Sequence, residues 1–131
     1  MQKVSDIMQV GSVNPVVDEK SCFREVLEVM NEKKMGVVNI VDGESRLIGI
    51  ITDGDVKRLL LKTQDTLPEL FIKNIVNIMI KNPKTIHPDA SPEECLALLE
   101  KYEFWVVPVV DQDCKLLGMV HLHKLLKSMA R

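Results

Sequence analysis

The sequence predicts an α+β fold made of two similar β-α-β-β-α units, packed against each other with pseudo-two-fold symmetry. The chain repeats itself after about half its length, and each copy has apolar residues at helical spacing followed by two β-rich runs. One such unit is too small to cover both faces of its sheet. We therefore expect two copies that face each other, with two clefts where they meet. The predicted repeats are residues 1–66 and 67–131.

The internal repeat has an almost constant offset. The offset is 69 residues through most of the chain and 71 in the segment that precedes each copy. Two copies of about 65 residues therefore fill the sequence. The matching segments are 6–8 (DIM) with 77–79 (NIM), 38–42 (VNIVD) with 107–111 (VPVVD), and 46–50 (RLIGI) with 115–119 (KLLGM).

The first predicted helix of each copy is amphipathic, because apolar residues recur at i, i+3, i+4 and i+7. In the second copy Ser91 can cap the helix, Pro92 suits its first turn, and Glu94 can reach back to close a capping box. The residues that set the spacing are Phe23, Val26, Leu27 and Met30 in the first copy and Cys95, Leu98, Leu99 and Tyr102 in the second.

A β-hairpin is predicted after each of these helices. The segments 42–45 (DGES) and 111–114 (DQDC) are typical of turns. A second helix follows each hairpin, at about 53–62 and 122–129. The predicted strands are 37–41 and 47–52 in the first copy, and 106–110 and 116–121 in the second.

Composition excludes several classes of protein. With 17 basic and 19 acidic residues spread along the chain, no basic stripe is available for nucleic acid. The longest apolar stretch, 104–110, is seven residues long and contains Pro108, so no membrane span is expected. The amino terminus does not resemble a secretory signal. Three cysteines without CxxC spacing indicate reduced thiols, and we expect a cytoplasmic protein.

The doubled unit carries a motif that resembles a known family. Residues 49–55 (GIITDGD) follow the pattern Gly-hydrophobic-hydrophobic-Thr-x-x-Asp. Over essentially the whole chain this resembles a tandem pair of cystathionine β-synthase (CBS) domains, often called a Bateman module. The strings TDGDVKR at 52–58 and HLHKLL at 121–126 are similar to the carboxy-terminal CBS pair of the arabinose 5-phosphate isomerase family.

The resemblance implies a regulatory module and not an enzyme by itself. In that family the CBS pair is joined to an amino-terminal sugar isomerase domain. The chain would then be the regulatory fragment of such an isomerase, or a free-standing relative. The implied ligand is AMP, ADP, ATP or a cytidine nucleotide-sugar such as a CMP-sugar, and no permanent cofactor is expected. The implied assembly is a homodimer.

Elementary chemistry also points to Thr52 and Asp55. The first turn of a helix attracts phosphate, the threonine hydroxyl can donate to it, and a carboxylate can accept both hydroxyls of a ribose. Lys57 and Arg58 add positive charge nearby. In CBS pairs that bind adenosine nucleotides, the Thr and the Asp of this motif contact ribose and phosphate. The resemblance implies the same contacts for Thr52 and Asp55. The alternative is a plain capping box that stabilises the helix and binds nothing.

The second copy departs from the motif. It has His121 and Lys124 at the positions that correspond to Thr52 and Asp55. A lysine cannot accept hydrogen bonds from a sugar, so this cleft is expected to hold a phosphate or a sugar-acid carboxylate, or nothing.

Other residues have two readings. Trp105 is either a platform for a base at the edge of the cleft or a core residue. His121 and His123, near Cys114 and His87, suggest a metal only weakly, because His123 is expected to lie in a helix and no acidic ligand is fixed nearby.

Leu59–Leu61 make their helix apolar around much of its circumference. A second molecule would bury this run in a dimer, or the linker at 67–75 would cover it.

The sequence leaves three candidate functions: a regulatory ligand-binding module, a structural dimerisation module without a functional ligand site, and catalysis. No paired nucleophile and base, P-loop or metal cluster supports catalysis.

Overall fold

A computed structural model describes residues 1–130 of the chain and has the predicted α+β architecture. All four predicted hairpin strands and both following helices are present with the predicted bounds. The elements are α1 (Val4–Ile7), β1 (Val16–Asp18), α2 (Phe23–Lys33), β2 (Val37–Val41), β3 (Leu47–Thr52), α3 (Asp53–Lys62), α4 (Leu67–Phe71), a 3₁₀ turn (Ile75–Asn77), β4 (Ile80–Lys81), α5 (Pro92–Tyr102), β5 (Val106–Val110), β6 (Leu116–His121) and α6 (Leu122–Met129).

The chain forms two compact units. One unit is residues 15–83, and the other combines residues 1–14 with the chain from Lys84 onward. The two compact units therefore have different boundaries from the sequence repeats predicted at 1–66 and 67–131.

The unit formed by residues 15–83 contains a four-stranded sheet in the order β1-β2-β3-β4. Strand β1 is parallel to β2, whereas β2, β3 and β4 pair in antiparallel fashion. Helix α2 buries the side chains at its predicted i, i+3 and i+7 positions against this sheet. The buried core is Phe23, Val26, Met30, Val38, Ile40, Ile51, Leu70, Ile75 and Met79.

The other unit has the same arrangement, but single bridges take the place of the two edge strands. Its hairpin β5-β6 is flanked by single bridges, Ile86 with Val109 (parallel) and Gln9 with Met119 (antiparallel). Helix α5 begins with the predicted capping box of Ser91 and Glu94. The buried core is Val4, Ile86, Cys95, Leu99, Val107, Val109, Val120 and Leu125.

In both units the second hairpin strand pairs with the leading segment of the other repeat. Ile50 of the first repeat pairs with Ile80, in the leading segment of the second repeat. Met119 of the second repeat pairs with Gln9, in the leading segment of the first repeat, through hydrogen bonds of 2.7 and 2.9 Å. Each compact unit therefore requires backbone from both sequence repeats.

A glycine in each of these strands permits the close approach. A β-carbon on Gly118 would lie 2.7 Å from the backbone oxygen of Gln9, and one on Gly49 would overlap the side chain of Met79. The obstacle at Gly118 is backbone and cannot move aside as a methionine side chain can. Gly43, in the hairpin turn, has nothing within 4 Å of the equivalent position.

We predict that Gly118→Ala lowers the free energy of unfolding by about 1–3 kcal/mol, because the added methyl group pushes the segment at Gln9 away from β6. Urea denaturation of the whole chain measures this change. Gly43→Ala is the matched control and should leave the midpoint almost unchanged. Equal midpoints for the two variants would contradict the proposed role of Gly118.

Candidate functional site

The predicted motif lies where β3 runs directly into α3. Thr52 is the last residue of β3 and the N-cap of α3. Its Oγ1 accepts a hydrogen bond from the backbone N–H of Asp55 at 3.2 Å. Asp55 Oδ2 in turn accepts hydrogen bonds from the Thr52 backbone N–H and from the Thr52 hydroxyl, both at 2.9 Å. The capping box that formed the alternative reading is therefore present, and it positions both side chains.

The second carboxylate oxygen of Asp55 is held by Arg58. Arg58 Nη2 donates to Oδ1 at 2.8 Å. The Arg58 side chain is 62% exposed, whereas that of Asp55 is only 17% exposed. Partial burial raises the pKa of Asp55, but the hydrogen bonds from Arg58 and Thr52 outweigh it and hold the pKa below its usual value. Asp55 is thus a carboxylate at neutral pH, with both oxygens engaged.

A cavity of about 360 Å³ opens beside this carboxylate. One wall is the face of α3 that carries Asp55, Arg58, Leu59 and Lys62, which follow helical i, i+3, i+4 and i+7 spacing. Lys57 is exposed and does not line the cavity. The remaining lining residues are Thr63, Asp65, Leu70, Lys73, Asn77, Ile78 and Ile80.

The cavity combines apolar surface with charged groups. On the linker side Lys73 Nζ lies 2.7 Å from Asp65 Oδ2, and this hydrogen bond lowers the pKa of Asp65. Sequence reasoning did not select Lys62, Asp65 or Lys73. The helical spacing from Asp55 could have identified Lys62, but no local pattern marks the linker residues, which reach the cavity through the fold.

The second motif has a different structure. His121 ends β6 as the N-cap of α6, but its side chain makes no capping hydrogen bond. Lys124 Nζ donates to Gln9 Oε1 at 3.2 Å, and Gln9 Nε2 donates to Asn14 Oδ1 at 3.0 Å. Burial and the nearby charge of Lys124 lower the pKa of His121. This end of the sheet therefore presents an ammonium and a neutral imidazole at neutral pH, with no carboxylate at the motif position.

Trp105 is 77% exposed, so the reading of this residue as part of the core is wrong. Its backbone oxygen accepts a hydrogen bond from Leu122 N–H at 2.8 Å, as the oxygen of Gly36 does from Asp53 N–H at 3.0 Å. Trp105 thus occupies the position of Gly36 in the repeat, next to the start of α6. Its exposed indole is compatible with the predicted stacking role, which stays a prediction.

The candidate residues divide between the two units. Thr52, Asp55, Lys57 and Arg58 belong to the unit of residues 15–83, and His121, Lys124 and Trp105 belong to the other. Within residues 1–130, no group of three or more His, Cys, Asp or Glu side chains is arranged to hold a metal ion. None of the described helices has the length and apolar character that crossing a membrane requires.

Curated relatives match along nearly the whole chain. An uncharacterized protein of Rickettsia prowazekii is 34% identical over 126 residues, which make up 96% of this chain and 37% of the relative. The arabinose 5-phosphate isomerase KdsD of Yersinia pestis is 31% identical over 126 residues, with the same two coverages. The chain thus spans little more than a third of the length of these relatives.

Solved structures share the whole fold. CBSX2 from Arabidopsis thaliana, crystallised in complex with AMP, gives a TM-score of 0.84 at 25% identity and covers 98% of this chain and 96% of that one. The CBS domain pair of protein MJ0100, in complex with 5′-methylthioadenosine and S-adenosyl-L-methionine, gives a TM-score of 0.77 at 26% identity, with coverages of 98% and 99%.

The sequence model of the CBS domain family matches this chain twice, at residues 4–62 and 72–131. The predicted tandem pair is therefore confirmed. Between them, the two matches include both motif segments, with Thr52 and Asp55 in the first and His121 and Lys124 in the second. The chain belongs to the CBS domain family and contains two CBS domains.

Proposed function

We propose that this CBS pair is a regulatory module that binds an adenine nucleotide at Thr52 and Asp55. The observation that carries the proposal is the Asp55 carboxylate at the start of α3, on the wall of a cavity of about 360 Å³. A cavity of this size is within the range of small-molecule sites. The AMP complex of CBSX2 supports an adenine nucleotide as the ligand class.

The residues have separate roles in this proposal. Asp55 accepts hydrogen bonds from the ribose hydroxyls at Oδ1, which accepts only one bond from Arg58, and at Oδ2 once the Thr52 hydroxyl rotates away. The exposed N–H groups at the start of α3 attract the phosphate, and Thr52 donates to it once its hydroxyl rotates away from Asp55. Lys57 and Arg58 provide positive charge. The stacking of a base on Trp105 is kept as a separate proposal for the unit that contains this residue.

The charges around the cavity also support a ligand with more than one negative charge. Arg58, Lys62 and Lys73 are three cations on its walls, against the carboxylates of Asp55 and Asp65. ADP, ATP and a nucleotide-sugar such as a CMP-sugar satisfy this condition as well as AMP does. We therefore keep the nucleotide-sugar as the second ligand class.

The proposed target of regulation is a sugar isomerase domain in the full-length protein. The 31% identity to KdsD of Yersinia pestis supports this assignment, since the chain covers only 37% of that relative. A ligand can bias an attached domain only if it binds one arrangement of the two CBS domains more tightly than another.

The proposed compartment is the cytoplasm. Reduced thiols are typical of that compartment, and the three cysteines, Cys22, Cys95 and Cys114, are all thiols.

The second candidate function is a structural dimerisation module without a functional ligand site. The complete capping box favours it, because helix capping alone accounts for Thr52 and Asp55. The exposed leucines of α3 also favour it. Leu59 packs against the core cluster that includes Leu70 and Ile75 of the linker, but Leu60 is 48% exposed and Leu61 is 87% exposed.

Ligand binding separates the two functions. AMP at a hundred times its dissociation constant should stabilise the wild-type chain by about 2.7 kcal/mol and raise its melting temperature by several degrees.

We predict that Asp55→Ala weakens AMP binding by about tenfold or more, because a charged acceptor of the ribose is lost. Calorimetry measures the affinity, and thermal unfolding measures the stability.

Glu94→Ala is the matched control for Asp55→Ala. Glu94 closes the capping box of α5 in the same way, at the third position of the helix, but it does not line the cavity. Both variants should lose about 1 kcal/mol of stability. Only Asp55→Ala should lose AMP affinity. A folded Asp55→Ala chain with unchanged affinity would eliminate the ribose role.

A second prediction concerns stoichiometry. Because Lys124 cannot accept hydrogen bonds from a ribose, the wild-type chain should bind one AMP. Lys124→Asp should create a second acceptor and reduce the affinity for ligands with several anionic groups more than for adenosine. Isothermal titration counts the sites. Two equivalent AMP molecules on the wild-type chain would disprove the blocking role of Lys124.

A third prediction concerns the homodimer. Leu61 is the most exposed leucine of α3, and we propose that a second copy covers it. Leu61→Glu should shift the chain toward monomer at tens of micromolar in sedimentation, because burying a charge opposes association. Gln64→Glu adds the same charge to an exposed polar position nearby and should leave the dimer intact. A wild-type chain that sediments only as monomer would refute the dimer.

A further inference from the structure

Arg58 covers the side of Asp55 that Thr52 does not engage. Thr52 occupies Oδ2 twice, and Arg58 Nη2 donates to Oδ1 at 2.8 Å. The guanidinium also packs over the first turn of α3, since a β-carbon on Gly54 would lie 3.2 Å from both Nη1 and Nη2. Arg58 therefore lies across the oxygen and the helix start that the proposed nucleotide requires.

This contact is easily exchanged. The Arg58 side chain is 62% exposed, and an ion pair with so much solvent access adds little stability. A guanidinium has five donors in a planar fork that fits a phosphate as well as a carboxylate. A ligand with a phosphate can thus replace the anion that Arg58 gives up. A nucleoside without phosphate cannot.

We propose that Arg58 determines specificity at this site, because it competes with a ribose for Asp55 and only a phosphorylated ligand offers it a new partner. The proposal rests on the proposed nucleotide function and adds a selection against free nucleosides. It applies to the first motif alone. In the second repeat the corresponding residues are Lys124 and Lys127, which are both cations and cannot form the same pair.

The test compares AMP with adenosine on the full chain by calorimetry. Arg58→Gln should weaken AMP binding by about tenfold, because a charge-assisted hydrogen bond to the phosphate is lost. The same variant should bind adenosine about threefold more tightly, because the internal competitor for Asp55 is gone. Arg58→Lys keeps the charge without the fork and should give an intermediate ratio of the two affinities.

Arg46→Gln is the matched control. Arg46 forms an ion pair with Asp42 at 2.7 Å in the hairpin turn of the same unit, and it does not line the cavity. This variant loses the same charge and should leave the AMP-to-adenosine ratio unchanged. The proposal would be overturned if the AMP-to-adenosine affinity ratio fell as much in Arg46→Gln as in Arg58→Gln. The change in net charge alone would then account for the effect.

The other outcomes are also decisive. If Arg58→Gln weakens AMP and adenosine equally, Arg58 only organises the site and the proposal is wrong. If AMP weakens while adenosine is unchanged, Arg58 is a phosphate contact and does not compete for Asp55, which also overturns the proposal. If the wild-type chain binds neither compound, the nucleotide function itself fails and this inference fails with it.

Discussion

The hydrogen bonds between Thr52 and Asp55 join the end of a strand to the start of a helix, and the candidate site depends on that junction. Two of them form the reciprocal capping box, and the Thr52 hydroxyl adds a third. They satisfy backbone groups that the turn from β3 into α3 would otherwise leave without partners. They also hold a carboxylate with a lowered pKa at the positive end of the helix, on the wall of a cavity.

Under the proposed function, helix capping and ligand binding use the same atoms. A capping box alone is satisfied without any ligand, and the box of Ser91 and Glu94 in α5 is an example in this chain. What distinguishes Thr52 and Asp55 is their surroundings, namely the cavity and the exposed charge of Arg58 beside them. In the second repeat, α6 begins without a side-chain cap at the corresponding position. Lys124 instead contacts Gln9 of the amino-terminal segment.

The two units are linked covalently in a way that makes each dependent on both repeats. The segment before one repeat completes the sheet of the other, and Gly49 and Gly118 leave room for it. The offset between the repeats is 71 in these leading segments and 69 in the hairpins. A change in loop length is tolerated more easily outside the hairpins than within them.

The sequence by itself determined the repeat, the hairpin strands, the helices α2, α3, α5 and α6, and the position of the motif. These are local properties, because hydrophobic spacing, turn residues and capping patterns act over a few neighbouring residues. Only the tertiary structure decided the exposure of Trp105, the place of Asp65 and Lys73 in the cavity wall, and the exchange of the leading segments. They depend on contacts between residues far apart in the chain, and no local pattern encodes those contacts. Arg58 shows both levels: its charge is part of the motif, but its ion pair with Asp55 depends on the side-chain conformation in the folded chain.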